Sequence, residues 1–351
     1  MKDGDVTMPG CRHLSCLLVI LGLMITLTPP APAQPAAVDS RHAGALELDP
    51  RGIARPQIEI WPDGVGPGSE DIADSLTETV VERFGDPAGL RDRYITGITR
   101  PFLTVFQPDE PDGSAVLIMP GGGYQRVVLD KEGYETAEYL AAHGVTAFIL
   151  AYRLPGEGHD HGADVPLQDA QRALRVIRSG AAASGIDPAR ITAMGFSAGG
   201  HVAGSLMTRF DASVYAPLDT IDELSARPDS VALIYPVTAM TGPQVHAGSR
   251  ALLLGTDTPD ADQVATYDIA AAVGPNDPPL FIVHALDDTA VPPENALQVL
   301  SAYRALQLPV EAHFFAQGGH GFGRRYATGL PAQVWTDLLL AWIPAGGQVP
   351  G

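Results

Sequence analysis

The stretch that decides the fold of this chain is Ile191-Thr192-Ala193-Met194-Gly195-Phe196-Ser197-Ala198-Gly199-Gly200-His201. It reads as a short apolar strand, then Gly-x-Ser-x-Gly, then a helix start rich in small residues. A serine at such a strand-to-helix turn has its hydroxyl exposed, and glycines flank it because the turn is too tight for larger side chains. The pattern predicts a nucleophile elbow with Ser197 as the nucleophile. Because Gly-x-Ser-x-Gly also arises by chance, the prediction depends on finding a base, an acid and an oxyanion hole elsewhere.

The chain around this stretch alternates between buried strands and amphipathic helices. Continuous apolar runs predict strands at 115–119, 145–150, 191–194, 231–235, 280–284 and 310–315, and helical spacing predicts helices at 133–143, 167–184, 295–306 and 333–342. The segments 95–98 and 102–106 are expected to be antiparallel strands, whereas 71–92 is predicted to be irregular surface chain. This alternation indicates the α/β class, with a mostly parallel central sheet and helices on both faces. We expect a single domain at 58–345, after a poorly ordered lead-in at 34–57.

Residues 1–33 have the composition of a targeting segment. Arg12-His13 precedes an apolar run at 14–27, and Ala31-Pro32-Ala33 forms a small-x-small cleavage site. We therefore predict a signal peptide, a mature chain that begins near Gln34, and a periplasmic or secreted location.

The composition of the mature chain excludes several classes of protein. The formal net charge is −19, and the predicted leader holds equal numbers of acidic and basic residues, so the mature chain keeps this charge. An acidic surface lacks the charge that nucleic acid or an anionic membrane requires, so we expect neither as a partner. Both cysteines, Cys11 and Cys16, lie in the leader, which excludes disulfides and thiolate metal sites from the mature chain.

The candidate acid and base follow the serine in the order that this kind of site requires. Asp287 and Asp288 come shortly after the strand at 280–284, at the edge of the sheet where the serine is expected. We choose Asp288 as the acid and expect Asp287 to be solvated or to support the loop. Only His313 and His320 follow Asp288. His313 lies within a predicted strand, whereas His320 is flanked by glycines in the loop after it and is the predicted base.

The predicted oxyanion hole is formed by backbone amides. Gly121-Gly122-Gly123 follows the buried strand at 115–119 and leaves its N–H groups accessible to a substrate oxygen. We predict that the amides of Gly122, Gly123 and Ala198 bind the oxyanion, and one such donor is typically worth about 3 kcal/mol of transition-state stabilisation. A plain flexible turn or a phosphate loop is the alternative. No Gly-Lys-Ser/Thr follows the glycines, which disfavours the phosphate loop.

Other polar residues near the predicted site have structural interpretations as well. Tyr124 and Tyr152 lie at strand ends that face the predicted cleft and are candidate sugar contacts, although surface packing explains them nearly as well. His201 follows the serine at the helix start, where a packing role is favoured over catalysis. The loop at 156–164 holds histidines and aspartates, but its glycines indicate flexibility and a metal needs fixed geometry. We therefore predict no metal and no cofactor.

With these parts of the site assembled, the chain resembles the secreted α/β-hydrolase esterases related to carbohydrate acetylesterases, including xylanase-like proteins and acetylxylan esterases. The resemblance rests on motifs in the same order: 61–64, 120–124, 151–155, 166–173, 195–201, 284–288 with 291–292, and 318–322. It covers roughly residues 58–342 and implies an α/β-hydrolase fold. Pro120 departs from the wider hydrolase pattern, in which histidine precedes the glycines, but the backbone donors of the oxyanion hole do not depend on that side chain.

The predicted function is the hydrolysis of small acyl esters, acetyl above all, on carbohydrates through an acyl-enzyme on Ser197. The resemblance and the predicted export imply the carbohydrate, whereas the three-residue set indicates only acyl transfer. A serine peptidase or a general short-chain carboxylesterase on the same fold is the alternative, and a glycosidase would need two carboxylates across a cleft. The non-enzymatic alternative is a sugar-binding protein on a hydrolase fold.

Overall fold

The central feature of the fold is an eight-stranded sheet. The computed structural model describes Met1 and residues 53–83 and 90–343. In chain order the strands are β1 (Gln57–Glu59), β2 (Thr79–Glu82), β3 (Arg93–Thr96), β4 (Phe102–Phe106), β5 (Ala115–Met119), β6 (Val127–Val128), β7 (Thr146–Ala151), β8 (Ile191–Phe196), β9 (Ser230–Ile234), β10 (Leu280–Ala285) and β11 (Val310–Phe315). The large sheet has the order β1-β4-β7-β5-β8-β9-β10-β11, and β2, β3 and β6 form a separate small sheet.

The large sheet is parallel except at one side. The pairs β1–β4 and β4–β7 are antiparallel, and every pair from β7 to β11 is parallel. All residues of β5, β7, β8, β9 and β10 are buried, because parallel strands covered on both faces have no solvated side. The predicted α/β architecture with a mostly parallel sheet is confirmed.

Helices lie between the strands of the large sheet. They are α1 (Glu135–Ala141), α2 (Val165–Gly180), α3 (Ser197–Thr208), α4 (Ala247–Leu254), α5 (Ala261–Tyr267), α6 (Ile269–Ala272), α7 (Glu294–Ala305) and α8 (Trp335–Trp342). The sequence pattern did not predict α4, α5 and α6, which are short and have no sustained apolar period. The available signals were a capping box at Asp260 and a left-handed glycine, Gly255, after α4.

One prediction about the first part of the chain is wrong. The segment 71–92 was expected to be irregular, yet it contains β2, which pairs antiparallel with β3. β3 in turn pairs with β6, so these three short strands make a small antiparallel sheet. The β2 sequence, Thr-Val-Val-Glu, is short and lies within polar and glycine-rich chain. It forms a strand because it pairs with β3, and local sequence does not reveal that pairing.

A buried ion pair joins separate motifs behind the sheet. The Asp169 carboxylate on α2 accepts hydrogen bonds from the Arg153 guanidinium (Nη2 to Oδ1, 2.8 Å) and from the Trp61 indole (2.9 Å). The side chains of Arg153 and Asp169 are fully buried. Removing one partner from such a pair typically costs about 3–5 kcal/mol, because a buried charge is left uncompensated. The pair therefore fixes α2 to the chain at the end of β7.

The predicted leader at 1–33 lies outside the described residues, apart from Met1, and so does most of the lead-in at 34–57. The described residues from 53 onward belong to one compact unit. Among the described residues no helix has the length and apolar character needed to cross a membrane.

Candidate active site

Ser197 lies at a strained turn between β8 and α3. Its backbone has φ of +52°, in the left-handed region that costs a non-glycine residue energy. A Cβ at Gly195 would come within 2.0 Å of the Gly199 carbonyl oxygen, and a Cβ at Gly199 within 2.1 Å of the Met119 carbonyl oxygen. Glycine is therefore required at both positions, as the elbow motif predicts.

His320 reaches Ser197 from the loop after β11. Its Nε2 lies 2.8 Å from the Ser197 Oγ, and its Nδ1 lies 2.7 Å from the Asp288 Oδ2. The flanking residues Gly319 and Gly321 both have positive φ, which lets the loop turn the imidazole toward the sheet edge. The Asp287 carboxylate accepts a hydrogen bond from the Gly319 amide (2.8 Å), so Asp287 supports the loop.

The Asp288 carboxylate is buried and fully hydrogen-bonded. Its Oδ1 accepts from the amides of Ala290 (3.0 Å) and Val291 (2.9 Å), and its Oδ2 lies 3.3 Å from the His284 Nε2. Burial disfavours ionisation, but the contacts with His284 and His320 outweigh it and hold the pKa of Asp288 well below its usual range. Asp288 is therefore a carboxylate at neutral pH and can accept a hydrogen bond from the Nδ1–H group of His320.

Two residues of the glycine loop line the space in front of the serine. Gly122 (φ +136°) and Gly123 (φ +66°) line a cavity of about 330 Å³ together with Ser197 and His320. Within the described part of the chain, the amides of Gly122, Gly123 and Ala198 donate to no backbone acceptor. The Gly121 amide instead donates to the Glu132 Oε2 (2.7 Å), which fixes the start of the glycine loop.

Tyr124 and Tyr152, the two candidate sugar contacts, lie in the interior of the protein. Tyr124 and Tyr152 are buried, and neither lines the cavity at Ser197. The Tyr124 hydroxyl bonds to His201 Nδ1 (2.8 Å), and the Tyr152 hydroxyl donates to the Pro120 carbonyl oxygen (2.7 Å). An aromatic ring gains from burial once its hydroxyl has a partner, so these rings turn inward and support the glycine loop.

His201 has the packing role that its sequence position suggested. It is buried, and its Nε2 contacts the Tyr267 carbonyl oxygen (2.8 Å). Burial lowers its pKa to about 4, so the ring is neutral at pH 7.

Several residues at the cavity were not identified from the sequence. The cavity is also lined by side chains that approach from three separate segments: Arg83, Gln125, Arg126, Lys131, Glu132 and His246. Glu132 lies in a π-helical turn, Asp130–Tyr134, directly before α1. Acidic residues are common before a helix because they interact favourably with the helix dipole, so no local pattern assigned Glu132 to the site. Its Oε1 accepts from the Tyr235 hydroxyl (3.1 Å), and the Tyr235 ring lies edge-on to the imidazole of His320.

The histidine-rich loop at 156–164 offers no metal centre. His159 bonds through Nδ1 to the Ser69 hydroxyl (2.9 Å) and is buried. Across the ranges that the structure describes, no group of three or more histidine, cysteine, aspartate or glutamate residues is arranged to hold a metal ion.

This fold and this site define an α/β-hydrolase: a mostly parallel sheet, a serine at the turn after a central strand, and an acid and a histidine that follow it in chain order. Residues 103–302 match the BD-FAE family, and the chain belongs to that family. The expected kinship with acetylxylan esterase-like and xylanase-like proteins is confirmed.

The relatives are named for action on xylan. The chain is 36% identical over 213 residues to endo-1,4-beta-xylanase B of Butyrivibrio fibrisolvens, which covers 61% of this chain and 33% of the relative. It is 32% identical over 225 residues to an acetylxylan esterase of Xylanibacter ruminicola, which covers 63% of this chain and 43% of the relative. The chain thus spans less than half the length of the curated relatives that it matches.

Among solved structures, an acetyl ester-xyloside bifunctional hydrolase from Caldicellulosiruptor lactoaceticus is similar over most of both chains. The TM-score is 0.65 at 30% identity, and the match covers 84% of this chain and 97% of the other. These comparisons agree with the predicted class of enzyme, a carboxylic ester hydrolase.

Proposed function

We propose that this chain is a serine esterase that hydrolyses small acyl esters, acetyl above all, on carbohydrates. The observation that carries the proposal is the unbroken hydrogen-bond series from Ser197 through His320 to Asp288, beside a cavity lined by backbone amides. The names of the relatives support the carbohydrate part, since one is an acetylxylan esterase and the other a xylanase.

In the first half of the reaction, the Ser197 Oγ attacks the ester carbonyl carbon while His320 Nε2 accepts its proton. Asp288 holds the proton on Nδ1 and stabilises the imidazolium that forms. The negative charge that develops on the carbonyl oxygen is stabilised by the amides of Gly122, Gly123 and Ala198. The sugar alcohol then leaves with the proton from His320, and the acyl group remains on Ser197.

In the second half, water takes the place of the sugar. His320 removes a proton from the water as it attacks the acyl-enzyme carbonyl, and the proton returns to the Ser197 Oγ when the acid is released. The same amides stabilise the second tetrahedral intermediate. No cofactor enters either step.

A glycosidase activity on the same cavity has little support. Glycoside hydrolysis generally needs two carboxyl groups that flank the glycosidic bond. Among the described residues that line the cavity, Glu132 is the one carboxylate, and both of its oxygens are occupied by the Gly121 amide and the Tyr235 hydroxyl. We expect no reducing-sugar release from deacetylated xylan.

The predicted export belongs to the same proposal. Residues 1–33 would be removed, and the catalytic unit at 58–345 would act in the periplasm or outside the cell, where polysaccharide fragments occur. Sequencing the N-terminus of the exported protein tests this, because the proposal expects a start near Gln34.

The test of the proposed function is acetate release from acetylated xylo-oligosaccharides and from p-nitrophenyl acetate. Ser197→Ala removes the nucleophile, so kcat should fall by about 10⁴ or more, as in other serine hydrolases. The matched control is Ser205→Ala, because Ser205 is buried on the same helix and does not line the cavity. Wild-type activity in Ser197→Ala would refute the proposal. A peptidase would instead cleave the matched anilide as well as the ester, whereas the proposed esterase should leave the anilide intact.

A further inference from the structure

The cavity at Ser197 has the opposite charge character to the chain as a whole. The chain carries a net charge of −19, yet Arg83, Arg126 and Lys131 line this cavity. The chain has only two lysines, Lys2 and Lys131. Lysine is thus rare in this chain, and Lys131, the lysine outside the predicted leader, lines the cavity at Ser197.

The small antiparallel sheet brings the three cations together. Arg83 directly follows β2, Arg126 directly precedes β6, and Lys131 follows β6 by three residues. β3 lies between β2 and β6, with Tyr94 opposite both Val81 and Val128. Residues at or near the ends of strands in this small sheet therefore supply the three cations that line the cavity.

Two of these cations flank the reacting groups. The Arg126 side chain packs against Gly122 of the candidate oxyanion loop, where a built Cβ would lie 2.9 Å from the Arg126 Cγ. On the other side, a Cβ at Gly321 would lie 3.0 Å from the Lys131 Nζ. Gly321 is the residue after His320. A substrate with its ester carbonyl at Ser197 would thus lie near the Arg126 side chain at the candidate oxyanion loop and near the Lys131 ammonium beside the His320 loop.

Carboxylates of the described chain do not neutralise these two cations. Arg83 pairs with Asp92 (2.6 Å), but within the described ranges neither Arg126 nor Lys131 forms a salt bridge. Each instead approaches an aromatic ring: the Arg126 guanidinium lies 5.1 Å from the centre of Tyr94, and the Lys131 ammonium 5.7 Å from that of Tyr326. Aromatic faces hold a cation in place without cancelling its charge.

Glu132 is the one carboxylate among the described residues that line the cavity, so it compensates at most one of the positive charges there. Glu132 is buried, and its oxygens accept from the Gly121 amide and the Tyr235 hydroxyl. The Arg126 Nε is shielded from solvent and has no hydrogen-bond partner among the described atoms. A cavity with uncompensated cations concentrates anions, even on an acidic protein.

We propose that the site prefers acyl esters on carbohydrates that carry a carboxylate, that is, a uronic acid next to or one residue away from the acylated sugar. The inference rests on the proposed esterase function and names its substrate class. Arg126 would bind the carboxylate through its planar fork, and Lys131 would add a point charge beside the His320 loop. Both groups act on substrate binding, and the chemistry at Ser197 is unchanged.

The experiment compares two acetylated xylotrioses that differ by one glucuronic acid substituent. We expect kcat/KM to be about tenfold or more higher for the acidic substrate in low salt, since charge-assisted hydrogen bonds are the strong ones. The advantage should shrink as NaCl is raised, because salt screens the attraction. Arg126→Gln and Lys131→Gln should each lower the ratio of the two kcat/KM values severalfold, whereas Arg126→Lys should retain part of it. Arg304→Gln is the control, because Arg304 is exposed on α7 and does not line the cavity.

A second measurement uses the wild-type protein alone, so it does not depend on variants that fold. Free glucuronate should inhibit hydrolysis of the neutral substrate at a concentration about tenfold lower than xylose does. Equal kcat/KM for the two trioses, or equal inhibition by glucuronate and xylose, would overturn the preference. The esterase proposal is judged separately, by turnover of the neutral triose and its loss in Ser197→Ala.

Discussion

At the scale of single residues, the proposed chemistry depends on the hydrogen-bond partners that surround the Asp288 carboxylate. Two backbone amides fix one carboxylate oxygen, and the imidazoles of His284 and His320 approach the other. A carboxylate held in this way stays ionised and keeps one orientation. His320 can therefore present an unprotonated Nε2 to Ser197 only while Asp288 accepts from Nδ1.

Replacing Asp288 with asparagine tests this dependence. An amide nitrogen in place of Oδ2 would donate to His320 and force the proton onto Nε2, so kcat should fall by about 10⁴ as for the same change in other serine hydrolases. Steady-state kinetics on p-nitrophenyl acetate measure the effect, and circular dichroism checks the fold. Asp287→Asn is the neighbouring control, because Asp287 is exposed and its carboxylate accepts a hydrogen bond from the Gly319 amide. A kcat of Asp288→Asn within tenfold of the wild type would contradict the assigned role.

The sequence predicts those residues of the site that are marked by their order in the chain or by flanking glycines. Asp288 follows a buried strand and His320 stands between glycines, so both had a local signal. Tyr124 and Tyr152 were selected only because they lie at the ends of predicted strands. Their ring orientation depends on buried acceptors, His201 and the Pro120 carbonyl, which no local pattern reveals.

At the scale of elements, the site depends on how closely α3 approaches β5 and β8. Gly199 lets the first turn of the helix lie directly against the carbonyl oxygens of Met119 and Pro120. These oxygens belong to the end of β5 and the start of the glycine loop. The serine and the candidate oxyanion amides are therefore held at a fixed distance by backbone contact.

Gly199→Ala should disrupt this contact. The new Cβ would lie 2.1 Å from the Met119 oxygen and 2.4 Å from the Pro120 oxygen, so α3 or the loop must move. We expect a loss of about 1–3 kcal/mol of stability and a fall in kcat of at least about tenfold. Thermal unfolding and ester hydrolysis measure the two effects.

Gly180→Ala is the matched glycine control. Gly180 ends α2 with helical φ and ψ, and a Cβ there meets nothing within 4 Å. The change should stabilise the protein by about 0.4–1 kcal/mol and leave kcat unaltered. An equal loss of activity in both variants would show that backbone contact at Gly199 is not what positions the site.

The strands were easier to predict than the pieces between them. Continuous apolar runs identified β5, β7, β8, β9 and β10, because a strand that is buried on both faces has an apolar residue at nearly every position. β2 and β6 are short and derive their stability from pairing with β3, so their sequences carry little independent signal. This is why Arg83 and Arg126, which flank those strands, were not assigned to the site.

At the scale of the whole molecule, the charge is unevenly distributed. The composition shows that acidic residues outnumber basic ones, but it cannot show where the lysine and arginine side chains lie. The small sheet gathers three of them at the cavity, next to the serine. The proposed preference for acidic sugars follows from this placement, whereas the proposed acyl transfer follows from Ser197, His320 and Asp288.

The proposed role of Ser197 as the nucleophile is tested most directly by labelling the intact protein covalently with a fluorophosphonate. Mass spectrometry and peptide mapping locate the adduct. We expect one adduct per chain, on Ser197, and its loss in His320→Ala, because the hydroxyl is activated by that imidazole. The absence of an adduct on Ser197 in the folded wild-type protein, or equal labelling of His320→Ala, would contradict that role.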